Sequence, residues 1–289
     1  MATTAERLGY PADAKLLIVN GDDIGMCHAA NVGTVDGLKN GILTSASLMV
    51  PCPWALEAVQ LAAGLDVGVH FTITAEWRTY RWGPLTAAAR DPQHGLVDSE
   101  GYFWHRGEPV VERGNPVVAR AEAEAQIEWA LARGLDVTGL DDHMGVYGSH
   151  PHFLAIYVDL ARHYRLPLRL APAHRFAERG RSDLAELAQA AHADLLAPDQ
   201  LTGLPLEHPE RLEAQMVDTI HNLTPGVTEY ILRASAPGEE LTAIAPDAAA
   251  RVEAYRLVTT SEPVRQAIKS EGIKLIGYRE LREAQRAGA

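Results

Sequence analysis

Short runs of branched apolar residues alternate with longer segments rich in Ala, Leu and Glu along most of the chain. A short run followed by a helical pattern is typical of a βαβ unit, and repeated units build a parallel sheet. The runs predict strands at Leu16–Asn20, Thr44–Val50, Asp66–Phe71, Val137–Asp141, Leu168–Leu170, Asp194–Leu196, Val227–Leu232 and Lys274–Ile276. The intervening segments predict helices at His28–Lys39, Trp54–Ala63, Ala119–Arg133, His152–Tyr164, Asp183–Ala191, Pro209–His221 and Asp247–Lys269, the last in one or two pieces.

This rhythm predicts an α/β fold, a distorted (β/α) barrel of the TIM-barrel type with seven or eight strands. The length of 289 residues suits one barrel, since such barrels take about 250 residues. We therefore expect residues 1–289 to form a single barrel domain. An open, doubly wound sheet is the alternative. The patterns at 168–170 and 194–196 are the weakest of the predicted strands.

The segment Thr74–Pro116 interrupts this rhythm and is predicted to be an insertion. Its aromatic residues are Trp77, Tyr80, Trp82, Tyr102, Phe103 and Trp104. A loop of this length is normally functional or disordered, and the aromatic content argues against disorder. Two compatible interpretations stay open: an insertion packed on the barrel, and a wall whose flat rings stack on a sugar.

The formal net charge of −12 argues against nucleic acid or an anionic membrane as the main partner. It permits a neutral substrate and a bound cation. No run reaches the about 18 apolar residues of a membrane span, and the N-terminal segment lacks the apolar core of a signal peptide. We expect a cytoplasmic protein in which Cys27 and Cys52 are free thiols rather than a single disulfide.

Carboxylates and imidazoles follow three of the predicted strands. Asp22 and Asp23 follow the first strand, His70 ends the third, and the fourth ends in residues 141–143, Asp-Asp-His. Ligands of parallel α/β folds bind beyond the carboxyl ends of the strands, where these side chains should meet. Singly, such an Asp is usually a turn or cap residue and such a His a structural one. Together they suit a divalent cation with one position left open for water.

The adjacent pair Asp22–Asp23 suggests a division of labour. Successive residues point in different directions, so one carboxylate can bind a cation while its neighbour faces the water on that cation. A cation lowers the pKa of such a water, and a nearby carboxylate can accept its proton. The alternative is that one of the pair only caps the helix predicted at His28–Lys39.

Several segments resemble the YdjC-like (ChbG-type) carbohydrate deacetylases, from about residue 15 to about residue 283. These segments are NGDDIG at 20–25, GILTSASLMVP at 41–51, GVHFT at 68–72, DDHMG at 141–145 and EGIKLIGYREL at 271–281. The resemblance implies a distorted (β/α) barrel that removes N-acetyl groups from amino sugars or small oligosaccharides. It implies one divalent ion, zinc or magnesium, bound by Asp23, His70 and His143.

The same resemblance implies roles for neighbouring residues. Asp22 would be the general base, Arg169 would hold it ionised, and Asp141 would orient His143 or a water. A plain structural ion pair is the alternative for Arg169. We predict substrate contacts by Thr72, Trp77, Trp82 and Tyr147, an amino-sugar substrate as partner, and a homodimer as one expected assembly.

The chain departs from the family pattern at two places. Many relatives carry a histidine, a proposed general acid, where this chain has Arg233. An arginine stays protonated and is a poor proton donor, although it can bind an oxyanion or a carboxylate. A pairing of Arg233 with Glu229 is one hypothesis. Many relatives also carry a second histidine close behind the one that follows the fourth strand. Here the next histidines are His150 and His152, which would approach the metal, act as the missing acid or cap a helix.

Two other functions therefore stay open beside deacetylation. One is a different metal-dependent barrel enzyme, a hydrolase, lyase or isomerase that uses the same three ligands. The other is a non-catalytic or altered-specificity relative that has lost the acid at Arg233.

Overall fold

A computed structural model describes residues 3–288 of the chain. Seven strands within this range form one parallel sheet: β1 Lys15–Ile24, β2 Ser45–Leu48, β3 Val67–Phe71, β4 Val137–Asp142, β5 Gln200–Gly203, β6 Gly226–Leu232 and β7 Lys274–Leu275. Their order is β4-β3-β2-β1-β6-β5, and β7 pairs with the amino-terminal part of β1. The predicted α/β fold, a distorted barrel, is confirmed.

Helices follow the strands in the order expected for repeated βα units. The α-helices of the described residues are α1 Thr4–Arg7, α2 His28–Asn40, α3 Ala55–Leu61, α4 Gly107–Arg113, α5 Pro116–Ala132, α6 Pro151–Tyr164, α7 Ala173–Glu178, α8 Ser182–Asp194, α9 Leu212–His221, α10 Glu239–Ile244, α11 Ala248–Thr260, α12 Glu262–Ser270 and α13 Tyr278–Ala287. The helix predicted at Asp247–Lys269 is two helices, because Ser261 caps α12 and Pro263 stands in its first turn. Proline lacks the N–H that a continuous helix would need there.

Strand β1 lies at the centre of the sheet and is buried along nearly its whole length. It pairs with β6 over residues 15–21 and with β2 toward its carboxyl end. The register with β2 shifts between Gly21 and Ile24, and Asp23 in this interval has a φ of 70°. A left-handed conformation is unfavourable for a residue with a Cβ and is often found at functional sites. The bulge takes Asp22 and Asp23 out of the ladder, which resumes at Ile24.

Two of the predicted strands are corrected. The segment Leu168–Leu170 is reduced to a single bridge, in which Leu168 pairs with Leu140 of β4. The prediction at Asp194–Leu196 is wrong, because Asp194 is the last residue of α8. Near it, the Leu196 carbonyl accepts a hydrogen bond of 3.2 Å from the Leu168 amide. The strand that follows α8 is β5, which the sequence pattern did not predict.

The insertion at 74–116 packs on the barrel. Trp82 and Phe103 are buried in its interior, and a bridge joins Val97 to Phe103. Helix α5 anchors it: the buried Glu122 carboxylate accepts hydrogen bonds from the Leu85 and Thr86 amides, each 2.9 Å long. The segment 74–116 is therefore packed on the barrel and hydrogen-bonded to α5.

Both cysteines, Cys27 and Cys52, are buried free thiols, as the sequence predicted. Burial raises the pKa of the Cys27 thiol to about 11. Among the described residues, no helix has the length and apolar character required to span a bilayer.

Candidate metal centre

Three side chains from the ends of β1, β3 and β4 converge at the carboxyl edge of the sheet. Asp23 Oδ1 lies 3.4 Å from His70 Nε2 and 3.5 Å from His143 Nδ1. The two imidazole nitrogens are 3.2 Å apart. All three residues are buried. The structure therefore brings together the three residues that the sequence nominated as metal ligands.

The donor set fits a divalent cation. Ligands bound at about 2.0–2.1 Å in a tetrahedral arrangement are about 3.3–3.4 Å from one another, which matches the spacing here. Asp23 Oδ1 is buried and has no hydrogen-bond partner among residues 3–288. A buried carboxylate oxygen without a partner is costly, and a cation would satisfy it. Two imidazoles with one carboxylate suit zinc slightly better than magnesium.

The other oxygen of Asp23 is held by two arginines. Asp23 Oδ2 accepts hydrogen bonds from Arg233 Nε at 3.0 Å and from Arg251 Nη1 at 2.9 Å. Burial opposes ionisation, but the charges of Arg233 and Arg251 outweigh it and hold the pKa of Asp23 well below its ordinary value. The carboxylate therefore keeps its charge and turns Oδ1 toward the histidines. Arg251 lies in α11 and was not recognised in the sequence as a site residue.

His70 is oriented by Asp141. Asp141 Oδ1 lies 2.5 Å from His70 Nδ1, and Asp141 Oδ2 lies 3.0 Å from Arg169 Nη2. Burial opposes protonation of His70, but the Asp141 carboxylate outweighs it and raises the pKa of His70 to about 10 in the protein alone. The prediction that Asp141 orients His143 is thus corrected, since its partner is the imidazole of β3.

Asp22 lies beside the converging ligands, with Oδ2 3.9 Å from His70 Nε2. Arg169 grips it with two hydrogen bonds, of 2.6 Å to Oδ1 and 3.0 Å to Oδ2. Burial raises the pKa of Asp22, but the Arg169 charge outweighs this and brings it to about 2. Arg169 also donates to Glu229 Oε1 at 2.6 Å, and Tyr278 donates to Glu229 Oε2 at 2.7 Å. The Arg169 guanidinium thus binds Asp22 of β1 and Glu229 of β6 at the same time.

The hypothesis that Arg233 pairs with Glu229 is wrong, because Glu229 binds Arg169 and Tyr278 while Arg233 binds Asp23. Residue parity along β6 placed the two side chains on one side but could not show which partner lay nearer. The carboxylates of β1 and β6 lie close to more than one arginine, and the three-dimensional arrangement determines which of them form pairs.

Glu76 is a site residue that the sequence analysis missed. It lies near the start of the insertion, and its Oε2 is 3.0 Å from His143 Nε2. Burial raises the pKa of Glu76, but the His143 charge outweighs this and lowers it overall. A carboxylate six residues after His70 was the available signal, hidden within a segment that has no periodicity.

Of the four residues predicted to contact substrate, three are buried. Thr72 is buried, and its hydroxyl donates to the His70 carbonyl at 2.7 Å. Tyr147 is buried against Phe71 and donates to the Ala119 carbonyl. Neither side chain is accessible to a ligand. The Trp82 ring is buried with its centroid 6.4 Å from that of His143.

Trp77 is the partly exposed member of the predicted substrate-binding set. Its ring packs edge-on against Trp82 at 5.7 Å. The Arg251 guanidinium lies 5.6 Å from the centroid of the Trp77 ring, within reach of a cation–π interaction. Trp77 therefore connects the aromatic insertion to the arginine that holds Asp23.

The loop after β4 has a tight turn rather than a second histidine ligand. Met144 follows His143 with a φ of 56°. His150 is the N-cap of α6, where its Nδ1 accepts from the His152 amide at 3.3 Å. The capping interpretation of His150 is therefore confirmed, and neither it nor His152 belongs to a ligand cluster of the described residues.

Comparison with known proteins now decides the family. The family model described as "YdjC-like protein" matches residues 16–270 of the chain. The chain belongs to the YdjC-like family. A carbohydrate deacetylase of Thermoanaerobacter pseudethanolicus is 30% identical over 270 residues, with 91% of this chain and 98% of the relative covered. A carbohydrate deacetylase of Enterococcus faecalis is 30% identical over 273 residues, covering 92% and 98%.

A solved structure supports the same assignment. The crystal structure of a putative cellobiose-phosphate cleavage protein of Enterococcus faecalis superposes with a TM-score of 0.77 and 29% identity. The match covers 93% of this chain and 99% of that one. The family resemblance inferred from the motifs is confirmed along nearly the whole length of the YdjC-like chain.

Proposed function

We propose that this protein is a metal-dependent carbohydrate deacetylase that hydrolyses the N-acetyl group of amino sugars or their short oligosaccharides. The observation that carries the proposal is the convergence of Asp23, His70 and His143, with donor atoms 3.2–3.5 Å apart. The YdjC-like relatives named carbohydrate deacetylases, which align over 98% of their own lengths, support it.

In this proposal Asp23, His70 and His143 hold one divalent ion, zinc or magnesium. Such an ion supplies Lewis acidity, which polarises an acetamide carbonyl and lowers the pKa of an attacking water. The chain prepares the site for it by burying all three ligands and by keeping Asp23 charged through Arg233 and Arg251.

Asp22 is proposed as the general base. It neighbours the ligands and, with a pKa of about 2, is ionised at neutral pH. So acidic a carboxyl group is a weak base, because proton transfer is most efficient when the pKa lies near the working pH. It can accept a proton only from a water whose own pKa has been lowered, so base and cation must act together. Arg169 and the Asn20 amide, which donates to Asp22 Oδ1 at 2.8 Å, fix the orientation of the carboxylate.

Arg233 is proposed to stabilise negative charge rather than to donate a proton. Its Nε is engaged by Asp23 and a quarter of its side chain is exposed, so the guanidinium lies at the entrance of the site. A fixed cation there favours an oxyanion formed from the acetamide carbonyl. Trp77 is proposed as the ring that contacts the sugar. The cytoplasmic location and the homodimer stay predictions.

The test is acetate release from a panel of N-acetylated amino sugars and short oligosaccharides. Protein stripped with a chelator should be inactive and should regain activity on addition of about one equivalent of divalent ion. If the protein binds the ion and no sugar in the panel yields acetate, the substrate assignment fails. Turnover of phosphoesters or keto sugars instead would favour a different barrel enzyme.

A second candidate function, a relative with lost or altered activity, is favoured by Arg233 at the place of the family's histidine. The variant Arg233→His distinguishes the two. Deacetylation that appears only in this variant would favour a decayed site. Activity in the wild-type protein that falls in the variant would favour a catalytic arginine.

A further inference from the structure

We infer that Glu76 is a positioning residue, which presents His143 Nδ1 to the metal and makes the aromatic insertion a structural part of the metal centre. The inference rests on the proposed metal-dependent function. Its basis is the contact of 3.0 Å between Glu76 Oε2 and His143 Nε2.

The geometry requires a single tautomer of His143. Its Nδ1 faces the other ligands, 3.5 Å from Asp23 Oδ1 and 3.2 Å from His70 Nε2. A neutral imidazole that ligates through Nδ1 must carry its proton on Nε2. Glu76 Oε2 is placed to accept that proton in a hydrogen bond, so it selects the tautomer and fixes the plane of the ring.

His70 shows the same arrangement with the two nitrogens exchanged. Its Nε2 faces Asp23, and its Nδ1 contacts Asp141. Each imidazole therefore has a carboxylate of its own, the arrangement by which carboxylate–histidine pairs orient metal ligands. Asp141 comes from the sheet itself, whereas Glu76 comes from the insertion.

The backbone around Glu76 is held firmly enough for such a role. The Ala75 amide donates to the Trp104 carbonyl at 2.8 Å, and the Ala75 carbonyl contacts His105 Nδ1 at 2.9 Å. Trp82 Nε1 donates to the Thr74 carbonyl at 2.7 Å. These hydrogen bonds within the insertion fix its first residues and so hold Glu76 beside His143 in the absence of a ligand.

The next residue of the insertion reaches a second ligand through its partner. The Trp77 ring lies 5.6 Å from the Arg251 guanidinium, and Arg251 donates to Asp23 Oδ2. Glu76 and Trp77 together therefore touch His143 and the arginine behind Asp23. The insertion supports two of the three ligands as well as forming a wall.

The experiment measures the zinc dissociation constant of the full chain by competition with a chromophoric chelator. Glu76→Ala should bind zinc about 10–100-fold more weakly than wild type, the usual loss for an outer partner of a histidine ligand. Glu76→Gln should lie between the two, because its carbonyl oxygen still accepts the hydrogen bond. Glu271→Gln is the matched control, since Glu271 also contacts a histidine, His221, at 3.0 Å, and it should bind zinc like wild type.

A second readout is the Nε2–H proton resonance of His143 in zinc-loaded wild-type protein, which should lie downfield and exchange slowly with water, as expected for a buried donor bonded to a carboxylate. This measurement needs no variant, so it decides the matter even if Glu76→Ala does not fold. An Nε2–H proton with the chemical shift and exchange rate of a free imidazole, or zinc binding by Glu76→Ala within twofold of wild type, would overturn the role of Glu76 and leave the proposed function standing. A wild-type protein that binds no divalent ion would contradict both.

Discussion

Two carboxyl groups at opposite ends of the barrel, one buried and one partly buried, show opposite pKa shifts. Asp22 lies near the end of the central strand β1, at the carboxyl edge of the sheet, and its pKa is about 2. Asp66 precedes β3 at the amino edge, and burial raises its pKa to about 6. The difference lies in the partner: Asp22 receives two hydrogen bonds from Arg169, whereas the Asp66 side chain is held by the Arg279 amide at 2.8 Å.

This contrast shows how the carboxyl edge is adapted for chemistry. Desolvation by itself makes a carboxyl group neutral, so a charged one in the interior needs a fixed cation. The site supplies Arg169, Arg233 and Arg251 for this purpose. The amino edge has an ordinary structural carboxyl group, whose hydrogen bond caps the start of α13.

The largest effect is expected for the charge of Asp22. Asp22→Asn keeps the shape of the side chain but removes the proton acceptor, so deacetylation should fall by about 10²–10⁴-fold. Zinc affinity should change by only a few-fold, because the three ligands remain. The comparison needs kcat from acetate release together with the dissociation constant of the ion. An active variant would show that another group accepts the proton.

The next largest effect is expected from removal of the Arg169 charge. Arg169→Met leaves Asp22, Asp141 and Glu229 without their shared partner, which should lower the free energy of unfolding by about 3–5 kcal/mol. The control is Arg162→Met. It breaks a similar two-bond pair with Asp194 at the surface, and should cost at most about 1 kcal/mol. Urea titrations at neutral pH compare the two; equal losses would contradict the account.

The opposite shifts of Asp66 and Asp22 predict opposite pH dependence. Because the folded pKa of Asp66 is raised from 3.8 to about 6, its stabilising contribution is complete below pH 3.8 and is lost as the pH rises through about 6. The free energy of unfolding of Asp66→Asn, relative to that of wild type, should therefore increase by up to about 3 kcal/mol between pH 4 and pH 7.

Asp22 should behave in the reverse sense. Its folded pKa is lowered from 3.8 to about 2, so its contribution is present above 3.8 and is lost as the pH falls through about 2. The difference between Asp22→Asn and wild type should therefore stay constant from pH 5 to 7. Urea unfolding at pH 4, 5.5 and 7 measures both variants. A gap for Asp66→Asn that does not change with pH would contradict the raised pKa.

The smallest effect is expected at the edge of the site. Arg233→Gln removes a partly exposed cation from Asp23, which keeps the buried Arg251 as a partner, so the free energy of unfolding should fall by less than about 1 kcal/mol. Arg251→Gln, in contrast, should cost about 3 kcal/mol or more, because it also leaves Asp247 without its partner. Thermal unfolding of the two metal-free variants makes the comparison. A larger loss for Arg233→Gln would show that the exposed arginine is the structural one.

The half of the barrel that carries the ligands was predictable from the sequence. Strands β1, β3 and β4 have clear apolar patterns, and each places an acidic or imidazole side chain at its end, so the fold rule alone brings Asp23, His70 and His143 together. The partners of these ligands were harder to predict. Arg251 and Glu76 come from a helix and from an insertion, whose positions depend on packing that sequence periodicity does not encode.

The part of the barrel between β4 and β6 was poorly predicted for a related reason. The segment around Leu168 makes one bridge, and β5 contains only four residues. Arg169 lies within this irregular segment, and its three carboxylate partners hold it in place. Short apolar runs that lack a regular ladder give weak patterns, because side-chain contacts rather than alternation determine their position.

The central claim is that Asp23, His70 and His143 share one divalent ion, and a crystal structure of zinc-loaded protein tests it most directly. Anomalous scattering at the zinc edge should show one strong peak per chain, about 2.0–2.2 Å from Asp23 Oδ1, His70 Nε2 and His143 Nδ1. A peak held by other residues, or none at this edge of the sheet in protein that carries zinc, would contradict the account.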